Sequence, residues 1–319
     1  MLTQHQAMPA IVPGDEKTFQ RIREAKKFLL PARTCSASVT FKVSPGNSMD
    51  GFRWSEASSI CFTYPYKLFV PRPSIRSLSP TRWIYPVVYG GGLVSGDNVC
   101  LILTCCKATS VLVTSQAFNK VYKAKANQIT RQTNHFEIRQ GALLSVLPDF
   151  IVCYAGANYS QEQTIYLDNS DSNLIYLDWY CSGRVANQEQ WRFNYLSSSL
   201  KVYLGDELIL REATILENFE DLTIADRMYQ FEVFGILVLY GRSEVVRDLQ
   251  GRVFTELSAR EDFGIIPERE NLFCTSLTAD NVRVVRFICA DSRAAYEKVD
   301  RLLSPLYKLY GGSPFYNKY

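Results

Sequence analysis

The sequence predicts a mainly β chain with a few helices at its margins. Between residues 59 and 216, apolar and polar residues broadly alternate between turn signals, which is the spacing of strands with one buried face. About 150 residues pass in this way without a helical pattern, so a parallel sheet built from strand–helix–strand units is not expected. Apolar residues make up 47% of the chain and aromatic residues 13%, which supplies a large core and excludes a disordered chain.

The first elements can be placed along the chain in order. Residues 15–30 carry apolar side chains at helical spacing, and this pattern stops before a proline. After the long β-rich region, the Gly and Asp at 205–206 form a two-residue turn of the kind that closes a hairpin. Residues 222–228 predict a short helix, and the apolar run at 233–240 predicts a buried strand.

The C-terminal quarter predicts two longer helices around one more strand. Apolar residues recur at helical spacing between 245 and 257, and residues 282–288 alternate as a last strand. Asp291 can then cap a helix that runs to about Leu303 and is ended by Pro305. The peripheral helices therefore include one at the C-terminus.

The chain is expected to consist of an N-terminal extension at 1–45 that contains a helix, and one β-rich domain at 46–319. No apolar run reaches the roughly 18 residues that span a bilayer, and the N-terminus lacks the apolar core of a signal peptide. Nine cysteines without a C-x-x-C pair fit reduced thiols. The net charge of +3 is too small to indicate a nucleic-acid or membrane surface. We therefore expect a cytoplasmic protein without nucleic-acid or membrane partners.

The most distinctive motif is a glycine-rich turn at residues 89–97, which reads Tyr-Gly-Gly-Gly-Leu-Val-Ser-Gly-Asp. A dinucleotide fingerprint needs the spacing G-x-G-x-x-G followed by a helix, whereas here the last glycine comes one place late and a strand follows. A phosphate-binding P-loop ends in Gly-Lys-Ser/Thr, and this turn ends in Gly96 and Asp97. Neither nucleotide motif is present.

Several segments in the same order resemble the urease accessory protein family UreD, called UreH in some systems, in its eukaryotic branch. The glycine turn matches the family's Gly-Gly-Leu/Ile-Val-small-Gly-Asp segment, and Pro148 lies in a Leu-Pro-Asp element where Phe150 replaces a second proline. The resemblance extends from about residue 64 to 241. The segments that carry it are 91–97, 113–117, 120–123, 147–149, 172–174, 178–179, 182–187, 225–228 and 236–241.

The resemblance implies a single layered, winding and partly β-helical sheet domain. It also implies a non-enzymatic maturation factor that binds apo-urease and the accessory proteins UreF and UreG, of which UreG is a GTPase. Members of the family are thought to pass nickel through their interior toward apo-urease. Nickel would then be in transit, and no cofactor would be permanently bound.

Motif matching transfers the family's functional positions onto this chain. The carboxylates of Asp97 and Glu189 are predicted to contact nickel transiently, with Thr114 and Ser115 as hydroxyls that line its path. Asp97 has an alternative interpretation, because an aspartate after a glycine often accepts a hydrogen bond from its own turn. The residues predicted to have structural roles within the motifs are Gly91, Gly92, Gly96, Pro148, Gly183 and Arg184.

Three positions depart from the family pattern near the predicted nickel path. Gln188 precedes Glu189 where the family has glycine, so a glycine turn is expected to be lost beside that carboxylate. Phe118 and Asn119 stand where small residues are usual. If small side chains line the path there, a phenylalanine would narrow it.

Groups for catalysis or tight metal binding are scarce. The chain has two histidines, of which His5 lies near the N-terminus and His135 reads as a surface or edge-strand residue. Cys105 and Cys106 are neighbours in a predicted strand, so their side chains point to opposite faces and cannot share one ion. A chain so poor in imidazole and paired thiolates is suited to passing nickel rather than storing it.

Two other functions remain open from the residues alone. One is a β-rich enzyme or binding protein that holds a small nucleotide or sugar in the glycine turn. The other is a nucleic-acid binder, which is supported only by five basic residues. These residues are equally compatible with an ordinary solvent-exposed surface. Those residues are Lys107, Lys120, Lys123, Lys125 and Arg131.

Overall fold

The computed structural model describes residues 35–72, 78–258, 271–316 and 318, without the side chain of Asn47. The helix expected at 15–30 lies outside these residues. The first strand begins at Ala37 and ends at Met49, so the expected boundary between residues 45 and 46 falls within a strand of the sheet.

Nearly half of the described residues lie in β-strands. In chain order the strands are β1 (Ala37–Met49), β2 (Phe52–Phe62), β3 (Tyr66–Phe69), β4 (Arg82–Val88), β5 (Asn98–Cys105), β6 (Ser110–Val113), β7 (Asn119–Val121), β8 (Thr130–Ile138), β9 (Leu143–Val146), β10 (Ile151–Cys153), β11 (Asn158–Leu167), β12 (Asn173–Cys181), β13 (Tyr195–Leu204), β14 (Glu207–Glu217), β15 (Val233–Tyr240), β16 (Leu272–Leu277) and β17 (Arg283–Cys289).

These strands form two large sheets. The smaller one has seven strands in the order β14-β13-β11-β8-β5-β1-β2, and the larger one runs β16-β17-β15-β12-β9-β6-β4-β3. The short strand β10 pairs with the end of β12 on one side and with the short strand β7 on the other. In the smaller sheet, β1, β5, β8, β11 and β13 are parallel neighbours. In the larger sheet, β4, β6, β9 and β12 are parallel.

The chain winds between the sheets from β4 to β13. Strands β4, β6, β9 and β12 lie in the larger sheet, whereas the intervening strands β5, β8, β11 and β13 lie in the smaller one. Each return to a sheet therefore passes through a strand of the opposite sheet rather than through a helix, which is how parallel pairs arise without a helical crossover. This solenoid-like winding, with 48% of the described residues in strands and 17% in helices, confirms the predicted fold class.

Two hydrophobic cores lie on the two faces of the larger sheet. Strand β12 is buried along its whole length because alternate residues enter different cores. Leu174 and Tyr176 belong to the core between the two sheets. Ile175, Leu177 and Trp179 belong to the core that the larger sheet forms with the helices.

Four α-helices occur in the described residues: α1 (Ile224–Met228), α2 (Glu244–Ser258), α3 (Ser292–Leu303) and α4 (Tyr307–Tyr310). The predicted cap of α3 is confirmed, since the side chain of Asp291 accepts a hydrogen bond from the amide of Ala294 at 2.8 Å. Val246 and Leu249 of α2, together with Val299 of α3, are buried in the core on the outer face of the larger sheet. The hairpin turn at 205–206 and the strand at 233–240 also lie where the sequence predicts them.

Candidate functional site

A cavity of about 210 Å³ lies between the two sheets. Its wall includes Gly91 and Phe118, which are exposed, and Gln161 and Asp178, which are buried. The cavity therefore extends from the surface beside the glycine turn into the space between the sheets.

One side of the inner wall is polar because of the inward positions of β8 and β11, whereas much of the remaining lining is apolar. Parallel pairing places Gln132 beside Gln161 and Asn134 beside Gln163. Alternation along each strand turns all four side chains to the same inner face. Gln161 also pairs with Ser198 of β13, which continues the polar row across the sheet.

Asp178 supplies the carboxylate of this wall. Its side chain is 7% exposed, and its Oδ2 atom accepts hydrogen bonds from Gln161 Nε2 at 2.7 Å, Tyr180 OH at 2.9 Å and Ser198 Oγ at 3.0 Å. Burial raises the pKa of Asp178 above its ordinary value, and the three hydrogen bonds oppose that rise. The carboxyl group of Asp178 can release or accept a proton, or its carboxylate oxygens can contact a cation.

Three further oxygens of the cavity wall are buried without a hydrogen-bond partner among the described residues. They are Thr114 Oγ1, Asn134 Oδ1 and Gln163 Oε1. Buried polar atoms normally have hydrogen-bond partners. Several oxygens without a partner around the same cavity therefore indicate a site for water or a hydrated cation. Within the described chain, no group of three or more His, Cys, Asp or Glu side chains could hold a metal ion. Such a wall can contact a cation through neutral oxygens and one carboxylate, which is a weak ligand set for nickel.

The predicted path-lining and motif residues are divided between the cavity and its surroundings. Thr114 and Ser115 line the cavity, and so do Gly91, Gly92 and Pro148. The departures Phe118 and Asn119 also line it, and the ring of Phe118 lies 6.2 Å from that of Phe150. The exposed side of Phe118 places this aromatic residue at the mouth of the cavity.

Asp97 lies in the glycine turn, outside the set of cavity-lining residues. Its Oδ2 atom accepts a hydrogen bond from the amide of Val94 at 2.9 Å, and its own amide donates to the carbonyl oxygen of Val94 at 3.0 Å. Asp97 therefore closes the turn, as the alternative interpretation expects.

Glu189 lies in a separate loop and pairs with Arg184. Its two carboxylate oxygens accept from the guanidinium at 2.5 and 2.8 Å, and Oε2 also accepts from the amide of Ala155 at 3.4 Å. The hydrogen bonds from Arg184 lower the pKa of Glu189. The guanidinium of Arg184 stacks 4.2 Å from the centre of the Tyr154 ring. Glu189 is thus engaged in holding this loop and does not line the cavity.

The backbone beside Glu189 keeps a glycine-like conformation without a glycine. Gln188 has φ 58° and ψ 39°, which is the left-handed region. The expected loss of the turn is therefore wrong in conformation, although the residue type differs. Gly183 remains necessary nearby, since a Cβ there would lie 2.5 Å from the carbonyl oxygen of Glu189.

Two glycines of the glycine turn are required for different reasons. Gly96 has φ 81°, which disfavours other residues. Gly92 has φ 171°, which is ordinary extended backbone that other residues also adopt. Space is the constraint there, because a Cβ would lie 2.7 Å from the carbonyl oxygen of Lys120.

The other chemical groups considered from the sequence are dispersed. His135 lies on the outer face of the central strand β8, where partial burial lowers the pKa of its imidazole. It is thus a half-buried residue of a central strand rather than an edge-strand residue. Cys105 is buried at the end of β5, and Cys106 follows the strand in a half-buried position. His5 lies outside the described residues.

Sequence reasoning missed the polar residues of the inner wall, namely Asn134, Gln161, Gln163 and the carboxylate of Asp178. The sequence did carry a signal for them. In strands that alternate apolar and polar residues, these polar side chains stand at the inward positions, where apolar side chains are expected. Asp178 was noted only as part of a motif. The helices of the described residues are each too short or too polar to cross a bilayer.

The match to known proteins covers most of the chain. A sequence model of the family described as "UreD urease accessory protein" matches residues 55–318. A "Urease accessory protein D" of Arabidopsis thaliana is 31% identical over 280 residues, which are 82% of this chain and 95% of the relative. A protein of the same name from Oryza sativa subsp. indica is 33% identical over 59% of this chain and 62% of the relative.

Bacterial relatives match a shorter part. A "Urease accessory protein UreD" of Sorangium cellulosum is 32% identical over 56% of this chain and 54% of that relative. The shared segment therefore spans about half of the bacterial protein. The winding β fold, the glycine turn and the length of the family match agree, and the chain belongs to the UreD family of urease accessory proteins.

Proposed function

We propose that this chain is a non-enzymatic urease maturation factor that binds apo-urease together with UreF-like and UreG-like proteins, and that nickel passes along the polar side of the cavity between its sheets. Membership of the UreD family supports the accessory role. The cavity wall of neutral oxygens around one carboxylate supports the passage of a cation.

The ligand chemistry of the wall is the observation that carries the proposal. Tight nickel sites use imidazole and thiolate, and they release the ion slowly. Passage needs contacts that are favourable enough for entry and weak enough for exit. The open oxygens of Thr114, Asn134 and Gln163 offer such contacts, and Asp178 offers one charge. We expect nickel to bind the isolated chain only weakly, in the micromolar range or looser.

The three carboxylates differ in where they lie. Asp178 faces the cavity, whereas Asp97 closes its own turn and Glu189 pairs with Arg184. The assignment of Asp97 and Glu189 as transient ligands stays a prediction. If nickel follows the cavity, Asp178 contributes more to its passage than either of them.

The proposal is tested by assembling the urease activation complex with Asp178→Asn, Asp97→Ala and Glu189→Ala variants. The nickel content of urease and the co-purification of each partner are measured together. Asp178→Asn should lower nickel delivery most while the complex still assembles. The matched control is Glu162→Gln, which removes an exposed carboxylate from the neighbouring strand β11.

Two results would contradict the proposal. Full nickel delivery by the Asp178→Asn variant would show that the ion does not need this carboxylate. Absence of urease and the accessory proteins from material co-purified with the tagged parent protein would contradict the partner assignment.

A further inference from the structure

The C-terminal Lys318 reaches a buried carboxylate beside the cavity. Its ammonium donates to Asp149 Oδ2 at 2.8 Å and to the carbonyl oxygen of Ser115 at 2.7 Å. The side chain of Asp149 is 1% exposed and that of Lys318 is 18% exposed. This ion pair joins positions 169 residues apart in the sequence.

The carboxylate of Asp149 is the centre of a closed hydrogen-bond cluster. Its Oδ2 atom also accepts from Ser115 Oγ at 3.0 Å, and its Oδ1 atom accepts from Tyr296 OH of α3 at 2.7 Å. The amide of Asp149 donates back to Ser115 Oγ at 2.7 Å. The cluster thus ties the loop after β9 to the loop after β6, and both to the C-terminal part of the chain.

Both loops belong to the cavity. Ser115 and Pro148 line it, next to Thr114 on one side and Phe118 at the mouth on the other. Lys318 does not line the cavity itself. It contacts the cavity wall through the carbonyl oxygen of Ser115 and the side chain of Asp149.

We propose that Lys318 is a positioning residue that holds residues 114–119 of the cavity wall in place, so that the C-terminal end of the chain sets the opening of the cavity. The consequence for nickel rests on the function proposed above. The positioning itself is a property of the isolated chain.

The physical reason is the charge of Asp149. Ser115 and Tyr296 give its carboxylate neutral donors, and Lys318 gives it a countercharge. Removing one partner of a buried ion pair is strongly destabilising, which favours entry of water or movement of the carboxylate toward the surface. Because Asp149 and Ser115 bind each other, such a movement would carry the wall segment with it.

The test is hydrogen exchange of the full chain, followed by mass spectrometry of peptides that cover residues 114–119. The amide of Thr114 donates to Ile84 and that of Asn119 donates to Phe150, so both amides report on this segment. In Lys318→Met, exchange of the segment should become about ten-fold faster or more, while β5 and β8 stay unchanged. Lys308→Met removes an exposed lysine of α4 and should leave all peptides unchanged.

Unchanged exchange at 114–119 in Lys318→Met would overturn the inference. So would an equal increase throughout the chain, because the lysine would then only stabilise the fold. If Lys318→Met does not fold, the same exchange measurement is made on the double variant Asp149→Asn/Lys318→Met, which removes both charges. In the double variant no charge is left unpaired, but the hydrogen bond from Lys318 to the carbonyl oxygen of Ser115 is lost. A smaller increase in exchange confined to 114–119 is therefore expected, and a parent-like pattern would overturn the inference.

The nickel assay separates this inference from the proposed function. Local loosening in Lys318→Met together with lowered nickel delivery is the expected pair of results. Local loosening with full delivery would keep the positioning role and count against passage through this cavity.

Discussion

The two ends of the space between the sheets are built by the same strands and filled in opposite ways. At one end, the inward residues of β8 and β11 are polar and leave a cavity: Gln132, Asn134, Gln161 and Gln163. Further along the same strands the inward residues are apolar and buried, from Phe136 at the border of the cavity to Ile138, Ile165 and Leu167 beyond it. Backbone pairing is continuous across both ends. The fold therefore provides the space, and the side chains decide whether it is core or cavity.

The largest expected effect compares one residue at each end of β11. Ile165→Ala should lower the free energy of unfolding by about 2–5 kcal/mol, because it empties a fully buried position. Gln163→Ala should cost less than about 1 kcal/mol, because it removes a buried oxygen without a partner and borders an existing cavity. Both are measured by denaturant unfolding. Equal losses of unfolding free energy in the two variants would contradict the proposed difference between the two ends.

The rigidity of the polar end depends on close packing at the glycine turn. Gly92→Val should lower stability by about 2–3 kcal/mol, because the new side chain overlaps the backbone and side chain of Lys120. Gly251→Val in α2 is the control, since a Cβ there meets nothing within 4 Å. An unchanged denaturation midpoint for Gly92→Val would refute the packing role of the turn.

A smaller effect concerns pH and the carboxylate of the polar end. Burial raises the pKa of Asp178 in the folded state, so the folded protein binds this proton more tightly than the unfolded chain does. The associated stability is fully present below the unfolded pKa and is lost as pH rises through the folded pKa. Each unit of elevation corresponds to about 1.4 kcal/mol.

The measurement is the unfolding free energy of the parent minus that of Asp178→Asn, from pH 3 upward. This difference should fall as pH rises above about 4, the ordinary range of an aspartate. A difference that grows with pH would mean that hydrogen bonds to Asp178 outweigh its burial.

The sequence predicted the strands because alternation reports burial on one face, and it predicted the hairpin at 205–206 because turn chemistry is local. It did not predict the parallel pairing. Asn98 pairs with Arg131 and Thr130 with Tyr159, and no repeating period in the sequence marks those partners. Only the family resemblance indicated the winding.

The site was predictable in part for similar reasons. Motif matching placed Thr114 and Ser115, which line the cavity. It also selected Asp97 and Glu189. The turn contact of Asp97 matches the alternative interpretation made from the sequence, whereas the pairing of Glu189 with Arg184 was not inferred. No local sequence pattern predicts the ion pair of Lys318, because its partner Asp149 is 169 residues away in the sequence.

The winding of the chain also bears on how the fold forms. Along the smaller sheet, Asn98 pairs with Arg131, Thr130 with Tyr159 and Asn158 with Tyr195, so successive coils close loops of 33, 29 and 37 residues. Loop-closure entropy depends on the logarithm of length, and the shortest and longest of these loops differ by only about 0.2 kcal/mol. Chain entropy therefore favours no coil as the place where folding begins. We therefore expect burial of the apolar rows to decide which contacts form first, and the cavity to be enclosed by strands that those rows bring together.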